Sequence, residues 1–162
     1  RPEHFNGVAS IIRKFLEIIK PNSIIMGEKD FQQTLVIKEL IIKHNFKCKL
    51  ITIPTVRENS GLAMSSRNNY LTETERMQAA KIYATLVDTK NLLCKNGFKR
   101  KNLKNQIDYL KKNNINVIYL DLFDAESLKS INESHNLEGS FVLAIAATIG
   151  NTRLIDNIVF SI

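Results

Sequence analysis

The sequence predicts an α/β protein, a piece of a doubly wound parallel sheet followed by a small α+β domain with an antiparallel sheet. Three observations predict it. A strand, a helix and a second strand follow one another between residues 23 and 53, the pattern of a βαβ unit. A polar stretch with no sustained period, residues 54–71, then interrupts the chain. After it come a long helix and three apolar strand patterns, the last two close enough to pair as a hairpin.

The elements follow in order. In the first 20 residues Val8, Ile11, Ile12, Phe15, Ile18 and Ile19 fall at helical spacing, and Pro21 stops the helix. It carries more apolar surface than a solvent-facing helix needs. The run Ser23-Ile24-Ile25-Met26 reads as a short strand ended by Gly27. A helix starts at Asp30, whose carboxylate can cap it with Gln33 as capping-box partner, and Leu35, Val36, Leu40 and Ile41 form its buried face. Residues 47–53 read as a strand ending at Pro54, parallel to the first and joined to it by a right-handed crossover.

Residues 54–71 are too long and too chemically loaded for a plain connector, and are a functional-loop candidate. Thr72 and Glu75 then form a capping box for a helix running to about Lys95, with Gly97 placed to end it. A helix near 103–112, a strand at 116–123, a helical turn around 126–130 and strands at 140–147 and 153–160 complete the chain. The domain boundary is expected near residue 70, giving domains 1–70 and 71–162.

Composition narrows the function classes. The chain of 162 residues is 44% hydrophobic and 24% charged, so it can bury a core. No apolar run approaches the length of a membrane span. The N-terminal residues show no secretory-signal pattern and read as an interior cut through a longer protein. Cys48 and Cys94 share neither metal-ligand nor redox spacing and read as reduced thiols of a cytoplasmic protein. The net charge of +7 permits anionic partners, but no aromatic residues interleave with the lysine clusters as a base-stacking surface requires, so no nucleic-acid partner is expected.

Two segments carry candidate chemistry. Gly27-Glu28-Lys29-Asp30-Phe31-Gln32-Gln33 lies where a strand ends and a helix starts, the place where open α/β sheets bind ligands and helix N-termini attract anions. Gly27 permits close backbone approach, and Lys29 adds a mobile positive charge. The same pattern also fits a plain glycine turn, a capping acid and a solvated lysine. The second segment is Gly61-Leu62-Ala63-Met64-Ser65-Ser66-Arg67-Asn68. Two hydroxyls and a guanidinium on a flexible loop can follow a polyphosphate as charge builds on it. This segment alone is weak evidence, because serine pairs occur in many surface loops. Met64-Ser65-Ser66-Arg67 resembles the Lys-Met-Ser-Lys-Ser loop of class I aminoacyl-tRNA synthetases, with Ala63 at that motif's first lysine.

Taken together, GEKDFQQ, PTVRE and GLAMSSRN in this order and spacing are similar to the pantothenate synthetase family. The opening RPEHFNGV and the closing ATIGNTRLIDN resemble the same family, so the likeness spans essentially the whole chain. The resemblance implies a Rossmann-like nucleotide-binding domain, a cytoplasmic homodimer, and ATP-dependent joining of pantoate to β-alanine through pantoyl adenylate, with Mg²⁺ accompanying ATP. It implies ATP-binding roles for Gly27, Glu28, Lys29, Asp30, Val56, Met64, Ser65, Ser66 and Arg67. Of these, Lys29, Ser65 and Arg67 would act on the reacting phosphates, Val56 would meet adenine through its backbone, and Gln33 would bind pantoate. No metal ligand is expected among these residues.

Two departures qualify the resemblance. Glu3 stands where the family pattern has glycine, and a carboxylate near polyphosphate is unfavourable unless turned to solvent. The family's paired histidines, a substrate-binding glutamine and a magnesium-binding acid belong to an N-terminal half that this chain lacks. None of His4, His44 and His135 replaces that pair. His4 is a candidate for lining the cleft, and the other two read as solvated. The chain by itself is therefore expected not to form the adenylate. Three rival readings are another adenylate-forming or nucleotidyl-transfer enzyme of the class I synthetase-like group, a basic nucleic-acid-binding domain, and a dimerisation module without chemistry. An anticodon-binding extension would mark the first, and RNA affinity falling steeply with salt, without ATP binding, the second.

Overall fold

The structure is a computed structural model that describes residues 2–133 and 137–162, with side chains from Phe5 onward. The expectations for Arg1, for the side chains of Glu3 and His4, and for His135 lie outside the described residues. The chain divides into two compact units, Arg1–Thr55 and Val56–Ile162. This division falls ahead of the expected boundary near residue 70, because the polar stretch from Val56 bonds to elements that follow it.

In the first unit, helix α1 (Pro2–Ile19) precedes strand β1 (Ser23–Gly27), helix α2 (Phe31–Lys43) and strand β2 (Lys49–Ile53). The two strands are parallel, with Ser23 opposite Lys49 and Gly27 opposite Ile53, as a βαβ connection requires. Leu16 and Ile37 are buried, but much of the branched apolar surface of α1 and the strands is open to solvent. Helix α2 starts where expected, with Asp30 at its N-cap position. Glu28–Asp30 form a 3₁₀ turn leading into it, and the Asp30 side chain makes no capping hydrogen bond, so the expected box with Gln33 does not form. His44 ends the helix with its N–H on the Ile42 and Leu40 carbonyls, and its ring is half-buried near Phe46 rather than fully solvated.

In the second unit the long helix α3 (Glu73–Asn96) and α4 (Arg100–Lys112) pack on the antiparallel sheet β3 (Asn116–Asp124), β4 (Ser140–Ile149) and β5 (Thr152–Ser161), in the order β3-β4-β5. The capping box forms as the sequence predicts. Thr72 accepts from the Glu75 N–H while the Glu75 carboxylate accepts from the Thr72 N–H and hydroxyl, and the bonds it accepts hold that carboxyl below its ordinary range. Gly97 ends α3 at φ +68. Strands β4 and β5 join through Gly150 and Asn151, with Gly150 at φ +51 in the first central position, where a two-residue hairpin of type II′ needs glycine.

Alternate residues Phe141, Leu143, Ile145, Ala147 and Ile149 of β4 enter one core with Ile82, Leu86 and Leu93 of α3 and Leu103 and Leu110 of α4. The helical turn expected around 126–130 is not a helix. Asp124 instead takes the N–H groups of Glu126 and Ser127 in a tight turn, and Leu128 at φ +54 breaks any helical continuation.

Candidate functional site

The first unit presents its candidate residues at the carboxyl end of β1. Gly27 closes the strand in an extended conformation, Glu28, Lys29 and Asp30 form the 3₁₀ turn, and Gln33 lies in the first turn of α2. Gly27 and Asp30 are exposed, and Glu28, Lys29 and Gln33 are half-buried. A bare backbone turn at a strand end, with a lysine and a helix N-terminus beside it, suits an anionic group. A Cβ added at Gly27 would meet nothing within 4 Å, so this glycine leaves open space in front of the strand end.

The second unit holds the other candidates in more regular structure than the sequence suggests. Residues 56–64 fold back on themselves as a small antiparallel turn, in which Met64 N–H donates to the Val56 carbonyl at 2.9 Å and Glu58 N–H to that of Leu62 at 2.9 Å. Gly61 N–H closes the turn onto the Glu58 carbonyl at 2.8 Å. Gly61 itself sits at φ +89 against Tyr83, so glycine is needed twice over, for conformation and for space. A 3₁₀ helix, Ser66–Tyr70, follows, and Ser65 Oγ accepts from Arg67 N–H at 3.2 Å at its start. The expectation of a flexible, irregular loop is thereby corrected, because backbone bonds across the turn satisfy its polar groups locally.

Met64, Ser66 and Arg67 are exposed, Val56 is also exposed, and Ser65 is half-buried. Met64, Ser65, Ser66 and Arg67 are thus brought together at one tip. Among the described residues the Arg67 guanidinium has no ion-pair partner. An unclaimed guanidinium next to two hydroxyls can form a planar fork on phosphate oxygens.

The scaffold under that tip is the part that sequence reasoning missed. Arg57 makes a bidentate pair with Asp156 of β5, at 2.6 and 3.0 Å, with Asp156 buried. Its guanidinium also donates to the Gly61 carbonyl at 3.1 Å and lies 3.5 Å above the Tyr83 ring of α3. Glu58 accepts from Nε and an Nη of Arg76, at 2.9 and 2.7 Å, and from Asn68 Nδ2 at 2.8 Å. The Arg76 hydrogen bonds hold the Glu58 carboxyl below its ordinary range, and Glu58 in turn raises Arg76. Arg57 and Glu58 were visible as part of PTVRE. Asp156 had no local signal, since its partner lies 99 residues away.

Among the described residues no three histidines, cysteines or carboxylates converge as a metal cage, and no helix is long and apolar enough to cross a membrane.

Comparison with known proteins fits these observations. Residues 1–159 match the family model described as pantoate-beta-alanine ligase. The chain is 41% identical over 162 residues to the pantothenate synthetase of Thermodesulfovibrio yellowstonii, covering 98% of this chain and 56% of that protein. The crystal structure of pantothenate synthetase from Thermus thermophilus is 31% identical with a TM-score of 0.88, covering 98% of this chain and 56% of that one. A Francisella tularensis pantoate-beta-alanine ligase, solved as a complex with beta-gamma ATP and beta-alanine, is 34% identical with a TM-score of 0.70, covering 98% of this chain and 51% of that one. The chain thus spans little more than half the length of the relatives it matches. With a match over residues 1–159 and both candidate segments inside it, the chain belongs to the pantoate-beta-alanine ligase family.

Proposed function

We propose that the protein carrying these residues condenses pantoate with β-alanine at the expense of ATP, giving pantothenate, AMP and pyrophosphate through pantoyl adenylate. The observation that supports this reading most is the family match over residues 1–159, which includes both phosphate-suited segments unbroken. The solved relative with ATP and β-alanine supports the same substrate pair.

In the first step the pantoate carboxylate attacks the α-phosphorus, the bond to the bridging oxygen breaks, and pyrophosphate leaves. Negative charge builds on phosphate oxygens, so the residues' work is positioning and electrostatic stabilisation. Lys29 and Arg67 meet that charge, and the Ser65 and Ser66 hydroxyls donate to phosphate oxygens. The backbone of Gly27, Glu28 and Asp30 lines the nucleotide, Val56 and Met64 flank its adenine end, and Gln33 orients pantoate. In the second step the amine of β-alanine attacks the acyl carbon, AMP leaves, and the amine loses a proton.

Mg²⁺ would accompany ATP and offset its charge. The protein acts in the cytoplasm as a homodimer, and nothing in its charge pattern calls for a nucleic-acid or membrane partner.

The test is Lys29→Ala in the intact protein, followed by pantoate-dependent exchange of pyrophosphate into ATP. Losing one charge contact made in the transition state should lower the rate about 10²-fold, or about 3 kcal/mol, with the far-ultraviolet circular dichroism unchanged. Near-normal exchange by the variant would remove Lys29 from the mechanism.

A further inference from the structure

The four residues Met64 to Arg67 are bracketed by a single side chain. Asn68, the residue after them, is 2% exposed. Its Nδ2 donates to the Ala63 carbonyl at 3.2 Å, just before the segment, and to Glu58 Oε1 at 2.8 Å. Its main-chain N–H donates to the Ser65 carbonyl inside the segment at 3.0 Å. Glu58 is itself gripped by Arg76 of α3. The two ends of the segment are therefore tied to each other and, through Glu58, to a long helix.

The chemistry of this staple is specific. It needs two donors on one planar group, which asparagine has and aspartate lacks, and an aspartate would set its carboxylate against that of Glu58. Among the described residues, Asn68 Oδ1 is buried without a hydrogen-bond partner. What the amide does supply is a fixed relation between the Ser65 and Ser66 hydroxyls and the Arg67 backbone.

We propose that Asn68, held by Glu58 and Arg76, is a positioning residue for adenylate formation, setting Ser65, Ser66 and Arg67 for the phosphates of ATP. This rests on the assignment of those three residues to ATP made above. Asn68 touches no substrate in this scheme and acts only through the segment it closes.

A double-mutant cycle on the intact protein, with kcat and KM for ATP measured separately in pyrophosphate exchange, tests both layers. Arg67→Ala should lower kcat about 10²-fold. Asn68→Ala should lower kcat roughly tenfold or more, because a small misplacement of a contact is costly in a pre-organised site. The double variant should lose clearly less than the product of the two single losses, since the part of the Asn68 effect exerted through Arg67 is gone once Arg67 is removed, while the part exerted through Ser65 and Ser66 remains.

Losses that multiply in the double variant would overturn the positioning role while leaving the phosphate assignment standing. Near-normal kcat in Arg67→Ala would overturn the phosphate assignment and the positioning role with it. If thermal unfolding shows that Asn68→Ala does not fold, Glu58→Gln carries the test. It keeps an acceptor for Asn68 and removes the charge that Arg76 grips. Its loss of kcat must shrink in the Arg67→Ala background, and a loss as large there as in the wild type overturns the proposal.

Discussion

The parallel pair β1–β2 and the antiparallel sheet β3–β4–β5 face the same demand, to cover apolar strands and pair their backbone groups, and meet it to different degrees. In the second unit β4 has a neighbour on each side, and α3 and α4 cover one sheet face, so Leu143, Leu110 and Leu86 are each 0% exposed. In the first unit two strands and two helices leave Ile18 at 78%, Ile25 at 62% and Ile42 at 66% exposure. A two-stranded sheet is marginal in water, and parallel sheets ordinarily have both faces covered. Exposed apolar surface of this extent marks a face that associates with something. The difference teaches that one βαβ unit suffices to set Gly27 to Asp30 at a strand end but not to bury its own surface. The relatives are longer than this chain by nearly half of their length.

The largest effect that would break this comparison comes from separating the units. Residues 56–162 expressed alone should unfold cooperatively and sediment as a monomer, because their core is closed. Residues 1–55 alone should show neither a cooperative transition nor a single sedimenting species. A monomeric, cooperatively folded 1–55 segment would show that the exposed isoleucines need no partner, and would remove the contrast.

A smaller effect sharpens the comparison through ion pairs. Asp156→Asn leaves the Arg57 guanidinium without its counter-charge in a site where the aspartate side chain is 4% exposed, and should cost about 3–5 kcal/mol in urea unfolding. The Arg13–Glu17 pair on α1, with side chains 50% and 46% exposed, should cost less than about 0.5 kcal/mol when Glu17 becomes Gln. Equal losses from the two substitutions would mean that the Arg57 pair is not an anchor.

The smallest effect is in acid. Glu58 has its folded-state pKa depressed, chiefly by its hydrogen bonds from Arg76, so the unfolded chain takes up a proton more readily. Its contribution to stability is present at neutral pH and is lost as pH falls through and below the ordinary glutamate range. Melting temperature against pH should therefore fall less steeply for Glu58→Gln than for the wild type. The share owed to Glu75, depressed by its Thr72 hydrogen bonds, should remain in both. Parallel curves for the two proteins would show that Glu58 gains nothing from its partners.

Local chemistry by itself determined much of this protein. The apolar run of β4, the Thr72–Glu75 box, Gly97 and the Gly150 hairpin each needed only neighbours in the chain, and each forms where the residues direct. The candidate residues Lys29, Ser65, Ser66 and Arg67 were weak signals one segment at a time, and only the joint order and spacing of their segments singled them out.

Other features were decided by tertiary structure alone. Asp30 takes the N-cap position of α2 as its sequence suggests, but it also closes a 3₁₀ turn and its side chain makes no capping bond. Residues 56–70 looked irregular, yet they are ordered by Asp156, Tyr83 and Arg76, which come from β5 and α3. Periodicity reports only which face of an element is apolar. It says nothing about which distant carboxylate will meet an arginine once the chain is folded, and that pairing is what holds the Ser65–Arg67 tip in place.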